Sequence, residues 1–234
     1  WGIIGLVRES RPGPRLELAH RLDRDTSGVL VLTKDMAANI WLKDQLRHRG
    51  EGLRKEYLAL VHDHPEWKEK SVNLPLGEHP NSAVRLKRGV VPNGLPSLTH
   101  FTLKETLDSL ALVHCLLHTG RTHQIRIHLD HIGHPILGDR LYGQPESTFL
   151  EWLAHREFSD VHPGQDNPHF QAVRKAVGFP RQALHAWRMQ IPHPDGHRVQ
   201  VEAPLPRDMQ AILEGTLPTW PDPSTCSPAP NGQS

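Results

Sequence analysis

The sequence predicts an α+β domain built around a mostly antiparallel or mixed sheet. Two observations indicate this class. Strand patterns occur in neighbouring pairs along the chain, and helical patterns fall between them without the regular alternation of a parallel α/β fold. The chain has 234 residues, of which 37% are hydrophobic, so it is long enough to bury one substantial core. We therefore expect a single folded domain over residues 1–214.

The first part of this domain is a polar loop between two predicted strands. Leu16 to Ala19 alternates weakly, and Val29 to Thr33 is a short continuous apolar run of the kind that buried strands show. Asp35 then stands where it can cap a helix, which we expect to end near Gly50, as helices often do at glycine.

The next predicted strand, Arg54 to Val61, places Tyr57 on the same face as Lys55, Ala59 and Val61. Proline, glycine and asparagine crowd residues 75–96, where we expect irregular connections with short strands around Val84 to Lys87.

Further along, His100 to Lys104 and Leu110 to Leu117 are predicted to form an antiparallel pair. The pattern then becomes helical. Thr122 is placed to cap a helix that ends before Gly133 and carries Arg126 in its opening turns. The residues predicted to form its buried stripe are Ile125, Leu129 and Ile132.

The last third of the chain contains helical patterns and a hairpin. Two short helices are predicted around Phe149 to Leu153 and Phe170 to Val177. Ala183 to Ile191 and His197 to Val201 follow as a hairpin. Residues 215–234 are rich in proline and hold no lysine or arginine, so we expect a disordered tail there.

Composition limits the classes of partner and the compartment. The formal net charge is only +1, so a nucleic-acid surface would have to be local. Two cysteines without CxxC spacing favour a reducing compartment, which we take to be the cytoplasm. The chain carries no long apolar run, so no membrane partner is expected, and we expect a monomer.

The densest polar segment of the chain is His20 to Gly28. Turn geometry requires only glycine, asparagine, aspartate or proline, and it does not explain two arginines beside two aspartates. Asp23 is therefore the first candidate for chemistry, because a carboxylate held between cations suits a nucleophile or a charge stabiliser. Asp25, which lies just before Ser27 and Gly28, is equally well explained by turn chemistry.

Five segments together resemble the RluA-type RNA pseudouridine synthases. They are His20 to Lys34, Lys55 to Leu60, Thr119 to Leu129, His134 to Asp139, and Gln182 to Ala186, in the family's order. The resemblance implies the pseudouridine synthase fold. It also implies cofactor-free isomerisation of a specific uridine in structured rRNA or tRNA, with cleavage of a C–N bond and reattachment through carbon.

The resemblance also implies roles for individual residues. Asp23 matches the catalytic aspartate, for which attack on the ribose C1′ and attack on the uracil ring both remain open. Tyr57 matches the tyrosine that stacks on the target base and is a candidate to remove the C5 proton. Arg126 matches the basic partner of the aspartate. Arg21 matches the residue that fills the space left by the flipped uridine, a task that suits a guanidinium.

Three more residues are predicted to contact substrate, namely His20, Thr26 and Arg121. Arg121, at the turn before the predicted helix, is suited either to phosphate binding or to satisfying backbone carbonyls. Asp139 and Arg140 are expected to brace the loops of the site rather than to touch substrate.

Two rival functions stay open. The first is an RNA-binding or RNA-remodelling module that has lost catalysis on the same fold. The second is a metal-dependent hydrolase, which we do not favour. Its candidate ligands are spaced too poorly to converge on one ion: His128, His131 and His134 in one segment, and His114 and His118 in another. We therefore expect neither a metal nor a cofactor.

The chain departs from the family pattern in two places. No strand ending in Lys-Pro and no S4-type RNA-binding domain is visible before the polar loop, and the chain begins at Trp1. A trimmed chain that lacks the first strand is one expectation, which leaves its isolated activity open. Residues 144–179 also form a longer connection than usual, suited to contacting RNA or covering the cleft.

Overall fold

The computed structural model describes residues 3–10, 13, 16–48, 50, 52–161 and 168–216. The helices are α1 Ile3–Ser10, α2 Met36–His48, α3 Gln124–His131, α4 Glu146–Val161, α5 Pro168–Val177 and α6 Arg207–Leu213. The strands of the first half are β1 Glu17–Leu18, β2 Ser27–Gly28, β3 Leu32–Thr33, β4 Arg54–His62, β5 Glu69–Asn73, β6 Leu76–Glu78 and β7 Arg88–Val90. Those of the second half are β8 Leu98–Thr106, β9 Leu110–Leu117, β10 Leu184–Pro192 and β11 Arg198–Glu202.

A mixed sheet dominates the described part of the chain. Its strands lie in the order β11-β10-β4-β9-β8-β5, and all of these neighbours are antiparallel. Only β2 runs parallel to its partner, β10. The predicted α+β class with a mostly antiparallel or mixed sheet is therefore confirmed.

The hydrophobic core lies on the central strands and includes Leu60 and Phe101, both fully buried. Helix α3 contributes Ile125 and Leu129 to this core, as the predicted stripe requires, while Ile132 packs at its edge. A second cluster gathers Ile127 of α3 with residues of the connecting loops. Because α3 packs between two apolar clusters, its polar side chains Gln124, Arg126 and His128 are buried, while His131 at its end is exposed.

The polar loop between residues 18 and 32 is closed by a short antiparallel pair of β1 with β3. Its far side is held by β2, where Gly28 lies against Ala186. Gly28 has a φ of +111°, and a β-carbon there would come within 2.2 Å of the Ala186 carbonyl oxygen. Only glycine allows this approach, so the loop is fixed to the sheet at the residue that follows Ser27.

The predictions for the flanking elements are mostly confirmed. Asp35 caps α2, since its Oδ1 accepts a hydrogen bond from the amide of Ala38 at 2.7 Å. The strand over residues 54–61, the pair of β8 with β9, the helices near residues 149 and 173, and the final hairpin are all present. Sequence patterns did not predict α1, β5 or α6.

Two local predictions are wrong. The strand expected around Val84 to Lys87 is a turn, closed by a hydrogen bond from the Lys87 amide to the Val84 carbonyl, and the strand begins at Arg88. Thr122 does not cap α3. The residue before the helix is His123 in a left-handed conformation, without a side-chain cap.

Thr122 does not cap α3 because the side chain of Gln124 folds back over the turn before the helix. Its Oε1 accepts hydrogen bonds from the Arg121 amide at 3.0 Å and from the Thr119 hydroxyl at 2.7 Å. These bonds close the turn that a threonine cap was expected to close. From residue 217 onward, the predicted tail lies outside the described residues, as do residues 162–167 of the long connection.

Candidate active site

A cavity of about 210 Å³ opens between the polar loop, β4 and the start of α3. The segments around it come from four separate parts of the chain, within residues 20–26, 55–57 and 117–126 and at Leu184. All seven residues that the sequence predicted as catalytic or substrate-binding line it: His20, Arg21, Asp23, Thr26, Tyr57, Arg121 and Arg126. We call this cavity the catalytic pocket.

Arg126 is held in the pocket wall by a buried carboxylate. Its Nε donates to Oδ2 of Asp139 at 2.6 Å, and its Nη2 donates to Oδ1 at 2.8 Å. Oδ1 of Asp139 also accepts from the amides of Leu141 and Tyr142. This two-pronged grip fixes the plane of the guanidinium. The expectation that Asp139 braces the site agrees with these contacts.

The remaining nitrogen of that guanidinium faces the polar loop. Nη1 of Arg126 lies 3.7 Å from Oδ2 of Asp23, whose side chain is 19% exposed. This is an ion pair rather than a close hydrogen bond, so the carboxylate keeps one open side toward the cavity. The Asp23 carbonyl accepts from the Thr26 amide at 3.1 Å, which closes the turn that presents the carboxylate.

Tyr57 enters the pocket from β4, where it is flanked by Cys115 on β9 and Ala186 on β10. Burial raises the pKa of its hydroxyl above the ordinary value near 10, and the nearby charge of Asp23 raises it further. The side chain is therefore a neutral phenol at physiological pH. Its ring offers a flat face, and its hydroxyl offers a proton.

His20 and Thr26 use their polar atoms to hold the loop. Nε2 of His20 accepts a hydrogen bond from the Val31 amide at 3.1 Å. Burial, with the nearby Lys55 cation, lowers the pKa of His20 to about 4, so this acceptor is neutral. The Thr26 hydroxyl accepts from Nε2 of Gln182 at 2.5 Å. Both residues line the pocket, but these bonds also give them a bracing role.

Arg21 and Arg121 lie at the mouth of the pocket and are exposed. Nε of Arg121 donates to the Pro96 carbonyl at 3.3 Å. One of the two roles considered for Arg121, the satisfaction of a backbone carbonyl, is thus present in the structure. The contact leaves the rest of this exposed guanidinium directed to solvent, where phosphate binding remains open to it.

Sequence reasoning missed two residues of the site, His123 and Tyr142. The Tyr142 hydroxyl lies 2.9 Å from Nδ1 of His123, and its ring lies 4.9 Å from the guanidinium carbon of Arg126. Burial and the charge of Arg126 lower the pKa of His123 to about 4. No sequence pattern predicts a left-handed histidine before the first residue of a helix. His123 lies inside one of the segments that resemble the family, and Tyr142 lies just after another.

Asp25 lies apart from this constellation. Its Oδ2 accepts from Nη1 of Arg140 at 2.9 Å, and Arg140 also donates to the Pro180 carbonyl. Asp25 does not line the catalytic pocket. The contacts agree with turn chemistry for Asp25 and with a bracing role for Arg140.

Among the described residues, one trio has side-chain ligand atoms close enough together to hold a metal ion. It comprises His193, Asp195 and His197 in the turn of the last hairpin. None of the three lines the catalytic pocket, and the histidines that we considered in the sequence are not part of this trio. The described helices include none that is long and apolar enough to cross a membrane.

Comparison with known families identifies the class of protein to which this fold and pocket belong. The model of the RNA pseudouridylate synthase family matches residues 6–131. The chain belongs to this family.

Individual relatives can be named. Ribosomal large subunit pseudouridine synthase D of Nitrosomonas europaea is 40% identical over 202 residues, which are 86% of this chain and 51% of that protein. Ribosomal large subunit pseudouridine synthase C of Escherichia coli K12 is 38% identical over 217 residues, which are 92% of this chain and 60% of that protein. The chain thus spans little more than half the length of these relatives.

Among solved structures, human RNA pseudouridylate synthase domain containing 1 superposes with a TM-score of 0.67 at 25% identity. The match covers 92% of this chain and 80% of that one.

Proposed function

We propose that this chain converts a specific uridine in RNA to pseudouridine. The single observation that carries the proposal is the position of the Asp23 carboxylate. It is paired with Arg126, open to the catalytic pocket, and faces the same cavity as Tyr57. The reaction is an isomerisation. The bond from N1 to C1′ breaks, a bond from C5 to C1′ forms, the C5 proton leaves and N1 gains a proton.

Nothing is oxidised or reduced in this sequence of bonds, so its balance calls for no cofactor or second substrate. The groups it needs are a nucleophile and a proton acceptor and donor. Asp23 supplies the nucleophile, with attack at either the ribose C1′ or the uracil ring. Arg126, anchored by Asp139, keeps the carboxylate aimed into the pocket during both glycosidic steps.

Tyr57 is the candidate to handle the C5 proton and to support the uracil ring. Its raised pKa means that a free phenolate is costly. Tyr57 is therefore not assigned as a preformed phenolate base. Instead, we assign to its hydroxyl a concerted role, in which it accepts the C5 proton as it gives up its own proton. The ring face, set on the rigid strand β4, provides a stacking platform for the extruded base.

A uridine within a stacked RNA cannot reach this pocket unless it flips out, which costs a few kcal/mol. Arg21 stands exposed at the mouth, where a guanidinium can stack in the vacated space and donate hydrogen bonds. We infer that Arg21 stabilises the flipped state, and that Thr26, His20 and Arg121 shape or line the entry.

The names of the relatives favour one class of RNA. Both bacterial relatives named above are ribosomal large subunit pseudouridine synthases, so we propose large-subunit ribosomal RNA as the substrate, ahead of tRNA. We place the protein in the cytoplasm, where ribosomal RNA is modified in bacteria. A monomeric state stays a prediction.

Tritium release tests this proposal. Large-subunit rRNA labelled with tritium at C5 of uridine, isolated from a strain that lacks the gene, is incubated with the purified chain. We expect the chain to release label from one position, and sequencing of the RNA to find pseudouridine there. RNA binding without tritium release would instead support the catalytically inactive module.

A further inference from the structure

A second, larger cavity of about 740 Å³ adjoins the catalytic pocket, between α2, the start of β4 and the end of β9. Among the described residues, no aspartate or glutamate lines it. Its wall carries five lysine and arginine side chains: Lys43, Arg47, Arg54, Lys55 and Arg121. We call this cavity the cationic groove. In a chain with a formal net charge of +1, such a concentration of one sign is a local feature.

The groove and the catalytic pocket share one wall. Five residues line both cavities: His20, Lys55, Leu117, Gly120 and Arg121. A polymer with one unit in the catalytic pocket therefore has its neighbouring units at the entrance of the groove. This continuity separates the groove from an isolated basic patch on the surface.

The cations of the groove are largely unneutralised by the protein. Arg54 lies 3.5 Å from Glu56 and is partly compensated. Asp44, which follows Lys43 on α2, lies 3.4 Å from His48. Within the described ranges, no carboxylate lies within ion-pair distance of Lys43, Arg47 or Lys55. The side chains of Lys43, Arg47 and Lys55 are therefore available to bind an external anion.

Lys55 occupies the inner end of the groove. It lies mostly buried between the two cavities, and this burial lowers the pKa of its ammonium group. A β-carbon at Gly120 would lie 3.8 Å from Nζ of Lys55, so the absence of a side chain there keeps the approach to the ammonium open. A phosphate at this point would favour the charged ammonium and so offset the loss of solvation that burial causes.

We propose that the cationic groove binds the phosphodiester backbone of the RNA strand that flanks the flipped uridine, with Lys55 at the phosphate nearest the catalytic pocket. The identity of the polymer rests on the proposed function. The concave shape and the shared wall favour a strand over a flat anionic membrane. The outer cations, Lys43 and Arg47, follow α2 away from the pocket and extend the contact by further nucleotides.

The test measures how RNA affinity depends on salt. The probe is a 20-nucleotide oligouridylate, bound by chains that carry Asp23→Asn, so that turnover plays no part. Each phosphate contact to single-stranded RNA contributes about 0.7 to the slope of log K against log [KCl]. We expect Lys43→Gln with Arg47→Gln to reduce the magnitude of this slope by about 1.4, and to weaken binding severalfold at low salt.

The matched control is Lys68→Gln with Lys70→Gln, which removes the same charge from exposed residues at the β5 edge of the sheet. We expect its slope to equal that of the parent. The proposal is wrong if the salt slope is the same in both double variants and the parent. It is also wrong if the magnitude of the slope falls equally in the two double variants. Equally tight binding of poly-L-glutamate of matching length would overturn the assignment to RNA.

A second arm separates this inference from the proposed function. In chains with Asp23 intact, Lys43→Gln with Arg47→Gln should raise KM for tritium release from large-subunit rRNA while kcat stays within about threefold. If the parent chain releases no tritium, the proposed function fails, while the slope measurement still decides whether the groove binds RNA.

Discussion

Nη1 of Arg126 lies 3.7 Å from Oδ2 of Asp23, while Nε and Nη2 of the same guanidinium are bound by Asp139. One cation thus joins two carboxylates from segments more than 100 residues apart in the sequence. Two of its nitrogens are used for anchoring, and the third faces the carboxylate that we propose as nucleophile. The direction of the Asp23 carboxylate therefore depends on Asp139, which holds Arg126 in place but does not itself line the catalytic pocket.

Asp139→Asn tests this dependence. An amide cannot accept two charge-assisted bonds from the guanidinium, so Arg126 should lose its fixed plane and Asp23 its fixed direction. We expect kcat for tritium release to fall about 10²-fold, because small misplacements of reacting groups cost that much, with KM little changed. Multiple-turnover kinetics give kcat and KM, and single-turnover rates report the chemical steps alone.

The control for this variant is Asp208→Asn, which breaks the similar bidentate pair of Arg181 with Asp208 outside the catalytic pocket. It should lower stability without a comparable loss of kcat. If the two variants lose activity in proportion to their loss of stability, Asp139 has only a structural role.

Tyr57→Phe removes a hydroxyl and keeps the ring. We expect kcat to fall by about 10²- to 10⁴-fold, the usual range for loss of a positioned proton-transfer group, with KM within threefold of the parent. Because burial and Asp23 raise the pKa of Tyr57, the parent rate should show no step from its ionisation up to about pH 9. Full activity of the phenylalanine variant would restrict Tyr57 to stacking.

Gly28→Ala tests how the polar loop is fixed to the sheet. The new β-carbon would meet the Ala186 carbonyl oxygen at 2.2 Å, in a backbone conformation with φ of +111° that side chains disfavour. We expect a loss of about 3 kcal/mol or more in the free energy of unfolding, measured in urea.

Gly196→Ala provides the comparison, since Gly196 has a φ of +87° but open space around it. It should cost only the strain of the left-handed conformation, about 1–2 kcal/mol. Equal losses in the two variants would show that close approach to Ala186 is unimportant.

His128 makes stability depend on pH. It is fully buried on α3, beside the Thr99 hydroxyl at 2.9 Å, and burial lowers its pKa from near 6.5 to about 4. Between these values the unfolded chain binds a proton that the folded chain does not, so stability falls as the pH falls through this window. The contribution approaches about 1.4 kcal/mol per pH unit.

His128→Gln should reduce the slope of unfolding free energy against pH between about pH 6.5 and pH 4, while other buried histidines keep part of it. An unchanged slope in the His128 variant would contradict the account.

Sequence patterns predicted the central strands because these depend on local signals, whereas the grouping of Asp23, Tyr57 and Arg126 in one site was implied by the resemblance to the family. The alternation around Tyr57 fixes its face, and the charge density around Asp23 has no explanation in turn chemistry. The apolar stripe of α3 likewise predicts which side of that helix is buried.

What could not be predicted depends on contacts between distant segments. Thr122 satisfies the pattern of a helix cap, but Gln124 closes the turn by bonding back to Thr119 and to the Arg121 amide. His123 adopts its left-handed conformation beside Tyr142, a neighbour that no local pattern supplies. Near Val84, a turn replaces the predicted strand and lies in the connection between β6 and β7, which pair with each other.

We assign the chemistry to the Asp23 carboxylate, and a comparison of Asp23→Asn with Asp25→Asn tests this assignment. Both aspartates lie in one turn, but Asp23 faces the catalytic pocket and Asp25 is paired with Arg140. Tritium release from C5-labelled large-subunit rRNA is measured for both. We expect Asp23→Asn to abolish release while RNA affinity stays within a few fold, and Asp25→Asn to retain activity within about tenfold of the parent. Release at the parent rate by Asp23→Asn would contradict the account.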